Sequence, residues 1–514
     1  MKKNFHEIEL EVSIKIYEML FDSFLECNKL VDLSNNLQGI FFHEILRILT
    51  NFFYKSNSLN SKYSPDKNDL SNLKHGFPYI DYTDILSGID ISRKNFKLDN
   101  VKSFKKTAWN ILVKILSSIF SSYIRVGLGK NVPLKNSIIF QGMRKKIFFF
   151  FIQDSKITIT KKREQLRILN SIIERISEEV FHSNKSDELF QIIEKHINNR
   201  LSEKQSKFEF DAVVIGSPGE ELNMFTSVIS SRSKIPVVHL MHGEGDQIFY
   251  DEPRHGFSEK YLVDYMFGHG AKKSYVTLGT DFLNVIPGTA SEYIGSNSNF
   301  IKKIYKKKKV RKILSNSKIK WMYVPDSIQF DNQWGPYGNY MNPYLYLHWQ
   351  RKIVSNFPRI IYKRHPKGSN FFRKVSNERL RDLLSTVGSN NDFEILLDNF
   401  YSSYDKCDAY VFDSVSTAFM IACATEKPII FFNIGKRKFT NEAEELIKER
   451  CYWFDQSPEE NINYLQIISE ISNRDKVNNF TEWYSLDKMS AFSREISLLN
   501  FISQLYDKTS NSSI

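Results

Sequence analysis

The sequence predicts an α/β protein of two Rossmann-like domains, preceded by a mainly helical region. From about residue 136, short apolar segments of strand length alternate with longer amphipathic segments of helix length. The alternation begins again after a basic interval, and such alternation is typical of parallel sheets covered by helices. A chain of 514 residues also exceeds one ordinary core. We expect a helical accessory region at 1–135, a first domain at 136–300 and a second at 313–500.

The helical region is predicted from three segments with apolar residues at helical spacing. They are EIELEVSIKIYEMLFDSFLE (7–26), HEILRILTNFFY (43–54) and TAWNILVKILSSIFSSYI (107–124). The polar interval 55–72 between the second and third predicts a loop. No catalytic motif occurs in this region.

Each predicted domain contains several strands with helices between them. The first has the predicted strands SIIFQG (137–142), KIFFFFIQ (146–153), FDAVVIGS (210–217), KIPVVHLMHG (234–243), VDYMFGHG (263–270) and DFLNVIPG (281–288), with helices at 163–181 and 186–201. The second has IKWMYVPD (319–326), RIIYKRHP (359–366), FEILLD (393–398), DAYVFDS (408–414) and KPIIFFN (427–433), with helices at 343–357 and 416–425.

Composition narrows the class of protein. The net charge of +12 fits a phosphate-bearing substrate, an anionic membrane surface or nucleic acid. Its densest run, Lys302 to Lys312, falls between the two domains, where a solvated linker or helix face is the plainer interpretation. Four cysteines without CxxC spacing argue against a disulfide framework and a zinc site. With no secretory signal and no apolar run near the ~20 residues of a membrane span, we expect a cytoplasmic protein, at most peripheral to the inner face of the cell membrane.

Ligands of parallel α/β sheets bind at the carboxyl ends of the strands, so the polar residues that follow strands are the candidate site residues. His365 follows RIIYKR, and Lys363 stands beside it as a cation for a phosphate. Ser414, Ser416 and Thr417 follow AYVFD and precede an apolar helix, where hydroxyls cap free amides that also bind phosphate oxygens. A loop histidine and simple helix capping are the alternative interpretations.

Two further loops belong to the first domain. His242, Gly243 and Glu244 follow IPVVHLM, and Ser217 begins the turn that carries Glu220 and Glu221 after DAVVIG. The carboxylates either face the cleft or lie at the N-terminus of a helix. His242, His255 and His269 are spaced by 13 and 14 residues, which matches no compact metal motif. We therefore expect no metal.

The order of these segments resembles bacterial surface-carbohydrate transferases with the GT-B fold. Similar series occur in CDP-glycerol glycerophosphotransferases, capsule polymerases and Kdo- or sialic-acid-type glycosyltransferases: HG, then hydrophobic-Lys-x-His-Pro, then Asp-x-Ser-Ser/Thr before a helix and Lys-Pro-hydrophobic. The resemblance covers residues 210–455. It implies that His365, Ser416 and Thr417 hold the phosphate of a nucleotide donor and that the HG loop lies near the acceptor. Phe419 and Met420 stand where many GT-B enzymes have an acidic residue for a ribose.

The resemblance implies an inverting, metal-independent glycosyltransferase. The expected donor is a CMP-activated Kdo, sialic or pseudaminic-type sugar, or a CDP-glycerol-like compound, and the acceptor is a glycan, a lipid-linked glycan or a protein. No cofactor is expected. His242 is the first candidate for the general base, and Glu220 or Glu221 the second. Two other functions stay open: a sugar-nucleotide epimerase of the same architecture, and a non-enzymatic protein that binds nucleic acid or another polyanion.

Overall fold

The computed structural model describes the two α/β units and part of the helical region. The described residues are 15–24, 26, 33–42, 44–46, 48–49, 52, 123–129, 132, 146–152, 156–182, 185–204, 208–216, 221–241, 248, 262–268, 270, 292–294, 298–307, 319–326, 343–364, 377–385, 393–436, 439–473, 476–486 and 494–511.

The described residues form two separate six-stranded sheets, in which every strand pair is parallel. The first has the order β2-β1-β3-β4-β5-β6 and the second the order β12-β11-β10-β7-β8-β9. The strands are β1 Tyr123–Leu128, β2 Lys146–Phe151, β3 Ala212–Ile215, β4 Val237–Leu240, β5 Tyr265–Phe267, β6 Glu292–Ile294, β7 Trp321–Val324, β8 Ile360–Lys363, β9 Glu394–Leu396, β10 Ala409–Phe412, β11 Ile429–Asn433 and β12 Tyr452–Asp455. The predicted fold class, two Rossmann-like α/β units, is confirmed.

Helices cover the faces of both sheets. They are α1 Leu37–Ile40, α2 Lys162–Ile176 (continued by a π-helical turn, Ser177–Phe181), α3 Ser186–Arg200, α4 Glu221–Arg232, α5 Asn299–Lys306, α6 Pro343–Asn356, α7 Asn377–Leu384, α8 Phe400–Ser403, α9 Thr417–Cys423, α10 Asn441–Arg450, α11 Tyr464–Asn473, α12 Asn479–Ser485 and α13 Arg494–Asn511. Among the described residues, no helix has the length and apolarity to cross a membrane.

The local sequence explains which side of α2 is buried and where α10 begins. In α2 the buried side chains Leu166, Leu169, Ile173 and Ile176 recur at helical spacing and make one apolar stripe. Helix α10 begins where the side chain of Thr440 accepts a hydrogen bond from the N–H of Ala443. Glu442 and Glu444 are in its first turn and Lys448 and Arg450 in its last, as the helix dipole favours.

The helical N-terminal region packs against the first unit. Residues 15–24, 26 and most of 33–52 that are described are helical or turns, and their apolar side chains join one core with α2, α3 and α4. Phe41 meets Phe225 of α4 edge-on, with 5.5 Å between ring centroids. These residues therefore pack against the helices of the first unit.

The structure corrects the prediction in several places. Tyr123 and Ile124, predicted as the end of a helix, begin β1, which pairs with β2 and β3. Strands β6 and β12 were not predicted, whereas the predicted strands 137–142 and 281–288 lie outside the described residues. At the other end of the chain, α13 packs against the first sheet, so residues beyond 493 contribute to the first unit.

The described part of the basic run lies mostly in α5, an amphipathic helix whose lysines are on its polar face. In α5 the apolar Ile301 and Ile304 are buried against the second unit, while Lys303 and Lys306 are exposed. The interpretation as a solvated helix face holds for this part of the run. Lys308 to Lys312 lie outside the described residues.

Candidate functional site

The second sheet reverses its strand order between β7 and β10. Its order, β9-β8-β7-β10-β11-β12, is that of a Rossmann fold, and the helices that follow β7 and β10, α6 and α9, pack on opposite faces of the sheet. Such a switch point opens a crevice outside the carboxyl ends of the two strands. Pro325 and Asp326 follow β7 where a dinucleotide-binding fold has its glycine-rich turn, so the fingerprint of that turn is missing.

Asp413, the first residue after β10, lies at this switch point in a network of three donors. Tyr323 Oη donates to Asp413 Oδ2 at 2.5 Å and Trp349 Nε1 donates to the same oxygen at 3.0 Å. Tyr346 Oη donates to Asp413 Oδ1 at 2.9 Å, and it accepts from the backbone N–H of Asp326 at 2.7 Å. The carboxylate thereby joins β7, β10 and α6, which come from distant parts of the sequence.

Burial governs the titration of this network. Asp413 is 3% exposed, and this burial raises the pKa of its carboxyl group, while the nearby Lys436 ammonium works in the opposite direction. Burial next to Asp413 also raises the pKa of Tyr323 and Tyr346 well above their usual values. Both phenols therefore stay protonated as donors at neutral pH.

Lys436 brings a cation into the crevice from the next strand. Gly435 after β11 has φ +73°, a left-handed turn that favours glycine, and Lys436 follows it. The Lys436 Nζ lies 3.1 Å from Asp326 Oδ2 and 3.9 Å from the centroid of the Tyr346 ring. Its side chain is 7% exposed, whereas that of Asp326 is 34% exposed. The pair thus joins a buried cation to a carboxylate that water reaches.

The predicted donor residue Lys363 ends β8 and is 2% exposed. Its Nζ donates to the carbonyl oxygen of Arg364 at 2.7 Å. Burial lowers the pKa of Lys363 to about 8, although Asp398 acts in the other direction. His365, the predicted phosphate ligand, lies outside the described residues, and its assignment stays a prediction.

The hydroxyl residues after Asp413 occupy the start of α9. The side chain of Ser416 is the N-cap and accepts from the N–H of Phe419 at 3.4 Å. Thr417 is the first helical residue, and Ser414 is half-buried in the preceding loop. The capping interpretation of Ser416 is therefore correct, and a phosphate contact of Ser414, Ser416 and Thr417 stays a prediction.

The first sheet has its own switch point, between β1 and β3. Gly129 directly follows β1. Its backbone is packed so closely against α4 that a Cβ atom there would clash with Asn223 Oδ1. On β4 the buried His239 has its Nε2 3.3 Å from the carbonyl oxygen of Gly216. These contacts fix the backbone at both sides of the loop that follows β3. Ser217 and Glu220, the predicted residues of that loop, lie outside the described residues.

Glu221 is the first residue of α4 and makes an ion pair with Arg200. Arg200 Nε lies 2.5 Å from Glu221 Oε1, and Arg200 Nη2 donates to Glu221 Oε2 at 2.8 Å. A carboxylate held by both oxygens at a helix start has a structural task. This pairing favours Glu220 over Glu221 as the carboxylate candidate for a base.

The loop after β4 is anchored to the second unit. His242, Gly243 and Glu244 lie outside the described residues, but Ile248, six residues after His242, is 0% exposed within the apolar core of the second unit. The backbone N–H of Thr440, at the start of α10, donates to the carbonyl oxygen of Ile248 at 2.8 Å. Six residues after His242, the chain thus lies beside the start of α10, at the carboxyl edge of the second sheet.

Within the described residues, no group of three or more His, Cys, Asp or Glu side chains is placed to hold a metal ion. The three described cysteines, Cys407, Cys423 and Cys451, are buried and unpaired by disulfides.

No known protein family matches the chain, and no curated protein matches it in sequence. Several solved structures resemble it at low identity. MurG of Acinetobacter baumannii is 10% identical with a TM-score of 0.32, over 70% of this chain and 86% of that one. A UDP-glucose:anthocyanidin 3-O-glucosyltransferase in complex with UDP is 11% identical with a TM-score of 0.27, over 66% and 79%. A UDP-glucosyltransferase from Polygonum tinctorium is 8% identical with a TM-score of 0.29, over 76% and 94%.

Several residues of the crevice were not predicted from the sequence. Asp326 and Lys436 carry its ion pair, and Tyr323, Tyr346 and Trp349 hold Asp413. One signal was available: Asp326 is the last residue of the predicted strand 319–326, and Lys436 follows the predicted strand 427–433 by three residues. The aromatic donors lie inside a strand and a helix, where their apolar rings indicate only core positions.

Proposed function

We propose that the protein is an inverting, metal-independent glycosyltransferase that uses a nucleotide-activated donor. The observation that carries the proposal is the position of its three motif segments. HG follows β4, Arg364-His365-Pro366 follows β8, and Asp413 to Thr417 follow β10, each at the carboxyl end of a parallel strand. Ligands of such sheets bind at these ends.

The contact between the two units supports a shared site. The Thr440–Ile248 hydrogen bond joins the HG loop of the first unit to the carboxyl edge of the second. A transferase needs an acceptor on one side and an activated donor on the other, with water kept from the bond that breaks. A segment of the first unit that lies against the carboxyl edge of the second sheet supports such an arrangement.

We assign the donor to the second unit because cations lie at the crevice of its sheet. This crevice contains Lys436, and the end of β8 adds Lys363 and Arg364, so several cations lie close to the place where a leaving phosphate would sit. From these cations and the motif series, we assign the donor as a CMP-activated Kdo, sialic or pseudaminic-type sugar, or a CDP-glycerol-like compound. The acceptor is a surface glycan or glycoconjugate.

Catalysis then divides between the units. A base of the first unit, His242 or Glu220, removes the proton of the acceptor hydroxyl as its oxygen attacks the donor carbon. With a CMP-activated sugar, the bond from this carbon to the phosphate oxygen breaks and CMP leaves. With a CDP-glycerol-like donor, the acceptor oxygen instead attacks the phosphorus that carries glycerol, the phosphoanhydride bond breaks, and CMP leaves. In both cases His365 with the nearby cations stabilises the departing phosphate. Neither step draws on a metal ion.

A nucleotide screen tests the proposal directly. Thermal unfolding is measured with CMP, CDP, UMP, UDP, GDP and AMP, each with and without EDTA. A cytidine nucleotide at about 100 times its Kd should stabilise the protein by about 2.7 kcal/mol, and EDTA should not change this. The preferred nucleotide then guides a transfer assay, in which the product is identified by mass spectrometry.

The outcomes separate the functions that the sequence left open. Transfer of a sugar or glycerol phosphate to an acceptor supports the proposal, and an isomerised free nucleotide sugar would replace it with an epimerase. If no nucleotide stabilises the protein at millimolar concentration while DNA or RNA binds with steep salt dependence, the protein is a polyanion binder.

A further inference from the structure

The ion pair between Asp326 and Lys436 spans the crevice of the second sheet. Asp326 follows β7 and Lys436 follows β11, and β10 lies between these two strands. The Lys436 side chain therefore reaches over the end of β10 to the switch point. There it lies 3.1 Å from Asp326 Oδ2 and 3.9 Å from the centroid of Tyr346.

The two partners differ in their exposure to water. Lys436 has a side chain that is 7% exposed and is held over the ring of Tyr346, so its charge stays in the crevice. Asp326 has a side chain that is 34% exposed, so water reaches its carboxylate. A phosphate that enters from solvent therefore reaches the position of this carboxylate first.

The surrounding charges make this exchange selective for an anion. Asp413 lies below the pair and already accepts three hydrogen bonds from neutral donors. With Asp326 turned away, Lys436 faces the crevice with Asp413 as its nearby carboxylate. A phosphate carries more charge and more acceptor oxygens than the carboxylate it would replace, and buried cations bind such groups strongly.

We propose that Lys436 binds a phosphate group of the ligand and that Asp326 occupies this position in the empty crevice. Phosphate binding then displaces the Asp326 carboxylate from Lys436. The proposal rests on the proposed function for the identity of the ligand as a nucleotide donor, but the exchange itself needs only a phosphate.

The exchange predicts opposite effects for the two partners. Lys436→Gln should weaken CDP binding about 10- to 100-fold, because a charge-assisted hydrogen bond is lost. Asp326→Asn should strengthen it about two- to fivefold, because the competing carboxylate is gone. Lys436→Arg should retain most of the affinity. A purely structural ion pair would instead weaken binding when either partner is removed.

The experiment is a calorimetric titration of the full chain with CDP and with inorganic pyrophosphate. A matched control is the exposed pair Glu444 and Lys448 on α10, where Glu444→Gln and Lys448→Gln should leave both affinities unchanged. Circular dichroism checks the fold of each variant. If Lys436→Gln does not fold, the sign of the Asp326→Asn effect decides, and unchanged or weaker binding overturns the proposal.

Failure of this proposal is distinguishable from failure of the proposed function. If CDP binds both variants as tightly as it binds the wild type, the exchange is overturned and the nucleotide site stands. If no nucleotide binds but pyrophosphate binds with the predicted opposite effects, the exchange stands and the nucleotide function is overturned. If neither CDP nor pyrophosphate binds the wild type, both the exchange and the proposed function are overturned.

Discussion

The backbone N–H of Thr440 donates a 2.8 Å hydrogen bond to the carbonyl oxygen of Ile248, and the Ile248 side chain is buried in the core of the second unit. A residue of the first unit thus completes an apolar cluster of the second. This contact lies six residues after His242, the first candidate for the general base.

We predict that Ile248→Ala lowers the free energy of unfolding by about 2–5 kcal/mol, because it leaves a cavity in a packed core. Urea denaturation measures the change. Leu465→Ala is the matched control, since Leu465 is 79% exposed and its truncation should change stability by less than about 0.5 kcal/mol. Equal stability of the two variants would show that Ile248 is not held in the core.

Asp413→Asn should destabilise the protein by about 1–3 kcal/mol. The amide that replaces one carboxylate oxygen is itself a donor, and it would face the donors of Tyr323, Tyr346 or Trp349 without an acceptor between them. Asp405→Asn, at an exposed position, serves as the control and should change stability by less than about 0.5 kcal/mol. A stability of Asp413→Asn within that range would contradict the network.

Lys363 should make stability rise with pH between about 8 and 10.5. Burial lowers its pKa in the folded state from 10.5 to about 8, so in this window the unfolded chain binds more protons than the folded one. Folding therefore becomes more favourable as the pH rises. In Lys363→Met this contribution disappears, so below pH 8 the variant should be more stable to unfolding than the wild type.

Urea denaturation at pH 7, 8, 9 and 10 tests this expectation. The exposed Lys303→Met in α5 provides the control and should follow the wild type at each pH. Identical pH profiles for Lys363→Met and wild type would mean that the ammonium of Lys363 is solvated.

His365→Ala should weaken nucleotide binding and slow transfer about 10- to 100-fold with the fold intact, because one charge-assisted hydrogen bond to the phosphate is lost. Calorimetry gives the affinity and circular dichroism the fold. Wild-type affinity in the folded variant would remove His365 from the donor site.

For the general base, we predict that His242→Ala lowers turnover by about 10²–10⁴ while donor affinity stays nearly unchanged. An unperturbed imidazole titrates near pH 6.5, which suits proton abstraction near neutrality. Glu220→Gln and Glu221→Gln are measured in parallel. If His242→Ala keeps near-normal turnover and Glu220→Gln does not, a carboxylate is the base.

The pattern of apolar residues predicted most of the two sheets, because buried parallel strands are short apolar runs between helical repeats. It failed at Tyr123–Leu128, where the strand directly follows a segment with helical spacing and its pairing partners are distant in the sequence. It also missed Glu292–Ile294, since three residues are too few to show a period.

The candidate site was predictable only where it consists of consecutive residues. Asp413 to Thr417 form one motif after a strand, and Lys363 to His365 form another. The ion pair of the crevice instead joins Asp326 to Lys436, 110 positions apart, and no local pattern indicates which lysine meets which carboxylate. Such pairs follow from the strand order, which cannot be read from local patterns in a single sequence.

The last helix has a consequence for how the protein can be divided. In α13, Leu498, Leu499 and Ile502 are buried against the first sheet, and Phe501 lies 4.9 Å from Tyr265 and 5.4 Å from Phe267 between ring centroids. A fragment that stops after residue 307 would leave this apolar face open to solvent. Separate production of the first unit should therefore require residues 494–511 as a peptide supplied in trans, or a circular permutation that joins them to the fragment.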